Sequence, residues 1–125
     1  MSEKNKFLIE VQPRFIAEQS KPSEHKYAFV YTIKITNIGQ IAAKLLSRHW
    51  LITDSNGKVE EVRGEGVIGK KPYIKPGEVF TYTSGALIAT SVGVMQGKYA
   101  MLSDTGENFD APIPQFTLSI PRTLH

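Results

Sequence analysis

Residues 25–36 set the apolar side chains Tyr27, Phe29, Tyr31, Ile33 and Ile35 against Ala28, Val30, Thr32, Lys34 and Thr36. Successive side chains of an extended chain point to opposite faces, so a period of two sends one stripe to a core and the other outward, as in a half-buried strand. The same period recurs in residues 43–54, where Trp50 and Ile52 share one face and His49 and Leu51 the other. It recurs again in residues 78–87 and in residues 93–103, where Met95, Gly97, Tyr99 and Met101 align. Residues 7–20 read as a strand interrupted near Pro13, and the last segment, with Pro112, Pro114 and Pro121 around Phe116, Leu118 and Ile120, as another. Proline lacks the ladder N–H, so both segments belong at sheet edges, where their prolines discourage pairing with other chains. Turn signals fall every 8 to 12 residues and no long stretch has helical period, which predicts an antiparallel β-sandwich of seven to eight strands. Asn56-Gly57 predicts a type I′ hairpin returning through residues 58–63.

A chain of 125 residues suits one domain, spanning residues 1–125. It contains no cysteine, which excludes disulfides, thiolate metal sites and cysteine nucleophiles and suits a reducing compartment. The apolar run Phe7-Leu8-Ile9 is too short for a signal-peptide core or a membrane span, so a cytoplasmic protein without membrane insertion is expected. The net charge of +3 is spread among interspersed acids. The densest basic cluster, Lys70, Lys71 and Lys75, is shorter than the runs that mark nucleic-acid contact, so no nucleic-acid partner is expected. Tyr27, Phe29 and Tyr31 run directly into Ile33 and Ile35, which assigns them to the core and not to a base-stacking platform.

Gly64-Glu65-Gly66-Val67-Ile68-Gly69 spells GxGxxG, and with Lys70 it nearly spells a phosphate loop. Both motifs hold phosphate through N–H groups at the start of a helix. Here Pro72 and Pro76 follow within a few residues, and a helix cannot form across them. No acid stands about 20 residues on to hold a ribose, and Lys71 occupies the place of the magnesium-binding Ser or Thr. The glycines are therefore expected to supply backbone freedom in a connection between strands. Consecutive N–H groups can still make an anion-binding nest without a helix, which keeps a nucleotide or pyrophosphate site at Gly64, Gly66, Gly69, Lys70 and Lys71 as the alternative function. Tyr73, in a proline-bounded loop beside Lys70, Lys71 and Lys75, has the composition of a protein-binding anchor.

Catalytic and metal-binding patterns are sparse. His25, His49 and His125 form no close pair that would place two ligands on one metal, leaving His49 and His25 as weak candidates and no cofactor expected. The odd spacing of His49 and Asp54 puts them on opposite faces of a strand, and Glu60 and Glu61, as neighbours, point apart. No G-x-S-x-G pentapeptide occurs. An enzyme is not expected.

Taken together, Arg48-His49-Trp50-Leu51-Ile52-Thr53-Asp54, Gly57, Val62-Arg63 with the glycine motif, Pro72, Pro76-Gly77, Phe80-x-Tyr82-x-Ser84-Gly85, Met95-x-Gly97-x-Tyr99-x-Met101 and Ile113-Pro114-x-Phe116 resemble the bacterial ApaG (CorD) family over nearly the whole chain. One departure is Ser91, where the family often has proline. The resemblance implies an immunoglobulin/fibronectin type III-like sandwich. It also implies an association with cobalt tolerance and magnesium efflux, and a position beside a diadenosine tetraphosphate hydrolase. Related domains in eukaryotic F-box and polymerase-interacting proteins imply a protein-binding module. A non-enzymatic domain that binds a protein partner, with residues 64–77 as the contact loop, is the expectation; partner identity and oligomeric state stay open.

Overall fold

In the computed structural model, which describes residues 5–121, eight strands form two antiparallel sheets. The strands are β1 (Phe7–Phe15), β2 (Tyr27–Asn37), β3 (Ala43–Asp54), β4 (Val59–Glu65), β5 (Tyr73–Ile74), β6 (Val79–Ile88), β7 (Val92–Ser103) and β8 (Asn108–Ser119). One sheet has the order β1-β2-β6 and the other β4-β3-β7-β8, with β5 added to β3 beyond the end of β4. This is the sandwich that the alternating pattern predicts.

The apolar stripe of β2 forms the centre of the core: Phe29, Tyr31, Ile33 and Ile35 are buried and face Trp50 from β3, Met95, Tyr99 and Met101 from β7, and Ile113 and Leu118 from β8. Tyr31, Trp50 and Phe116 cluster with centroids 5.4 to 5.9 Å apart, and Trp50 packs edge to face with each of the other two, a geometry favoured by the aromatic quadrupole. The hydroxyls of Tyr82 and Tyr99 meet at 2.5 Å in this core, so each satisfies the other. On one flank the sheets close on each other where Phe7 of β1 stacks on Phe109 of β8, centroids 6.1 Å apart.

Two expectations are corrected. The first strand stops at Phe15, and residues 16–25 form two short 3₁₀ turns, Ala17–Gln19 and Pro22–Glu24. Ser20 explains the stop: its hydroxyl donates to the Ile16 carbonyl and accepts from the Ala28 N–H, tying the segment back to β2. Pro13 lies inside β1 opposite Tyr31 and needs no break, because β1 is an edge strand. The Asn56-Gly57 turn is not type I′, since only Gly57 has positive φ (84°). The Gly57 N–H donates to the Asp54 carbonyl, and the Asp54 carboxylate accepts from the N–H groups of Asn56 and Lys58. Asp54 thus stabilises a type I turn followed by a left-handed glycine.

Candidate functional site

The glycine segment joins β4 to β5 along one edge of β3. A bulge between Leu45 and Ser47 turns the Leu46 carbonyl outward, and the Gly66 N–H donates to it at 2.8 Å. The chain then folds on itself: the N–H groups of Val67 and Lys70 donate to each other's carbonyls at 2.8 and 2.9 Å, around Ile68 (φ 44°) and Gly69 (φ 77°). Positive φ at both central positions is the signature of a type I′ turn. The hairpin signature expected at Asn56-Gly57 therefore stands at Ile68-Gly69. Positive φ is a genuine outlier for a β-branched residue, and Ile68 is nevertheless 54% exposed at the tip. Val67, its neighbour, is fully buried and anchors the turn to the core.

Gly64 and Gly66 serve different physical needs. Gly64 lies opposite Arg48, and a Cβ there would meet the Arg48 guanidinium at 2.6 Å. That guanidinium donates from one nitrogen to the Glu65 carbonyl at 3.1 Å and to the Gly66 carbonyl at 2.9 Å, clamping the start of the loop from beneath. Gly66 has φ 61°, and a Cβ on it would fall 2.2 Å from the Lys70 carbonyl oxygen. Arg48 enters the sequence reading only as part of the family motif, and its contact with the loop is set by strand register. Its signal was its place one residue before His49 on the face shared with Trp50, since a cation on a core-facing position needs buried acceptors.

Around this hairpin the candidate side chains divide. Lys71 pairs with Glu65 at 2.8 Å, a hydrogen bond and charge that hold the Glu65 carboxyl below its ordinary range. Lys70 has no ion-pair partner among the described residues. Tyr73, 48% exposed, donates its hydroxyl to Asp104 at 2.5 Å, and that bond raises the phenol's pKa. Ile74, the next residue, is buried, and its carbonyl accepts from the side-chain amide of fully buried Asn37 at 2.9 Å. Pro72, Tyr73, Glu78, Val79 and Phe80 border a shallow depression of about 280 Å³ beside the hairpin. The loop thus presents Ile68, Lys70 and Tyr73 on a braced backbone. Three of its N–H groups, those of Gly66, Val67 and Lys70, bond within the fold and are not free donors for a bound anion.

The histidines lie apart. His49 faces outward on β3, with Nε2 2.5 Å from a Glu61 carboxylate oxygen that Arg63 also contacts at 2.8 Å. Those two bonds, His49's first, depress the Glu61 carboxyl. Cross-strand adjacency made this pair invisible to linear spacing, since Glu61 is two residues from Arg63, the Cα partner of His49. Ser47, His49, Arg63, Glu65, Lys98 and Asp110 border an open depression of about 520 Å³ on that outer face. His25 caps the second 3₁₀ turn in left-handed conformation (φ 57°) and borders a different depression with Asp54, Lys58 and Glu60. Among the described residues no three His, Asp or Glu side chains gather into a metal-ligand group. No helix of the described residues is long and apolar enough to cross a membrane.

Comparison with known proteins agrees with the sequence motifs. The family model described as the ApaG domain matches residues 17–103. Protein ApaG of Dechloromonas aromatica is 54% identical over 127 residues, covering 100% of both chains. Protein ApaG of Xanthomonas euvesicatoria is 56% identical over 117 residues, covering 94% of this chain and 92% of its own. A crystal structure from Bordetella pertussis superposes with a TM-score of 0.93 at 45% identity, covering 97% of this chain and 98% of its own. With a family model matching most of its length and relatives more than half identical from end to end, the chain belongs to the ApaG domain family.

Proposed function

We propose that this chain is a non-enzymatic protein-interaction domain whose contact surface is the loop of residues 64–77, and that its influence on cobalt tolerance and magnesium efflux is exerted through a protein partner. One observation carries the reading: Ile68 is held half exposed at positive φ on the tip of a hydrogen-bonded turn. A β-branched residue in that conformation costs about 1–2 kcal/mol, a cost the fold sustains while leaving the side chain facing solvent. The same loop carries Lys70 without an ion-pair partner among the described residues and half-exposed Tyr73. An exposed apolar tip, an aromatic and a cation on a rigid backbone are the elements of a protein-binding hot spot. The nucleotide or pyrophosphate alternative has less support, because the N–H groups of Gly66, Val67 and Lys70 already bond within the fold.

The test is affinity recovery from bacterial lysate with wild type and the Tyr73→Ala, Lys70→Glu and Ile68→Asn variants. The same partner should be lost from all three, while Ile68→Asn also unfolds a few degrees higher, because asparagine tolerates positive φ. Equal recovery of every partner by the four proteins removes the loop as the contact surface.

A further inference from the structure

Five strands lie at sheet edges; β5 is only two residues long, and three of the four longer ones carry devices that deter pairing with another chain. β1 has Pro13 with Glu10 and Arg14, β8 has Pro112 and Pro114, and β4 has Glu60, Glu61, Arg63 and Glu65. β6 has none: Val79-Phe80-Thr81-Tyr82-Thr83-Ser84-Gly85-Ala86-Leu87-Ile88 contains neither proline nor charge. It pairs only with β2. The Asn37 N–H donates to the Glu78 carbonyl, and antiparallel pairing alternates from there, so residues 80, 82, 84, 86 and 88 direct their backbone groups to β2. Residues 79, 81, 83, 85 and 87 direct theirs to the open edge, and these same five are the exposed ones. Val79 is 50% and Leu87 57% exposed. Depressions at both ends of the strand, one bordered by Tyr73 and Val79, the other by Lys58, Glu60 and Leu87, leave room beside it.

We propose that β6 pairs antiparallel with β6 of a second copy of the chain, about a two-fold axis at Thr83, making one continuous six-stranded sheet. The sequence is self-complementary in that register. Val79 meets Leu87 of the copy, Thr81 meets Gly85, and Thr83 meets itself. On the inner face half-buried Phe80 meets Ala86, and Tyr82 meets Ser84. Both exposed apolar side chains of the strand thereby gain apolar cross-strand partners, and each open N–H and C=O gains a ladder bond. Assembly stops at two, because the pairing consumes both β6 edges and the remaining edges are guarded.

The chain has no cysteine, so a single introduced thiol reports one contact. Directly opposed residues in a hydrogen-bonded pair have Cα atoms about 5.5 Å apart, within disulfide range. The full chain carrying Thr83→Cys should cross-link to a dimer under mild oxidation, whereas Thr32→Cys on central strand β2 should not. Sedimentation equilibrium of wild type should show mass rising above 13.9 kDa with concentration. Thr83→Lys, which opposes like charges at the axis on an exposed position, should hold the mass at that of the monomer with an unchanged far-UV spectrum. Val79→Glu combined with Leu87→Lys should restore dimerisation relative to either single change. A monomer mass for wild type at the highest concentration reached overturns the proposal. So does a dimer indifferent to Thr83→Lys, or cross-linking of T83C no faster than of T32C.

Discussion

The three glycines of the loop look alike in a motif and differ in what surrounds them. Gly69 has open space around its Cβ position, so Gly69→Ala costs only the positive φ, about 1 kcal/mol. Gly64→Ala meets the mobile end of Arg48, which can withdraw but then forfeits its bonds to the Glu65 and Gly66 carbonyls, about 1–3 kcal/mol. Gly66→Ala meets the Lys70 carbonyl, part of the backbone, at a position whose φ is also positive. It should be the most damaging, at roughly 3 kcal/mol or more. Chemical denaturation of the three variants checks the ranking, and a Gly66→Ala protein as stable as Gly69→Ala contradicts the close packing described. The motif legibly announced a need for glycine. Which need each met depended on what the fold brought alongside, for Gly64 on Arg48, 16 positions earlier and placed opposite it by strand register.

At the scale of elements, period-two patterning located nearly every strand, because burial on one sheet face leaves a local trace in the sequence. The ends of strands were less legible. The stop after Phe15 depends on Ser20 bonding across to β2, and the turn at Asp54 on a carboxylate accepting two N–H groups, neither of which alters the apolar pattern. Two-residue β5 has too little length for any period. It is held by Asn37, whose amide donates to the Ile41 and Ile74 carbonyls and whose oxygen accepts from the Gly39 N–H, all at 2.9 Å. Asn37→Ala leaves the Ile74 carbonyl without its buried donor, and the Ile41 carbonyl and Gly39 N–H without part-buried partners, and should destabilise by about 2–4 kcal/mol. Amide exchange in that variant should accelerate first around residues 66–78. Uniform acceleration across the sandwich would mean that β5 is no separate unit.

For the whole molecule, the buried tyrosines make stability depend on alkaline pH. Burial raises the phenol pKa values of Tyr31, Tyr82 and Tyr99 above 10.0, and the Tyr82 hydroxyl bond adds to the rise at Tyr99. A raised acid stays protonated in the folded state after the unfolded chain has released its proton, so this contribution is intact below pH 10.0 and is lost progressively above it. Absorbance of phenolate against pH should show these three titrating together with unfolding, and Tyr82→Phe should shift that transition. Independent titration of all five tyrosines in the folded state would contradict the core described. GxGxxG is here a hairpin whose glycines meet steric and positive-φ demands, and the N–H groups of Gly66, Val67 and Lys70 bond within the fold. An amide-resolved NMR titration with millimolar pyrophosphate and ATP tests it most directly. The amides of Gly66, Val67 and Lys70 should stay in place and remain protected from exchange, whereas saturable shifts centred on those three would make the segment a phosphate site and contradict the account.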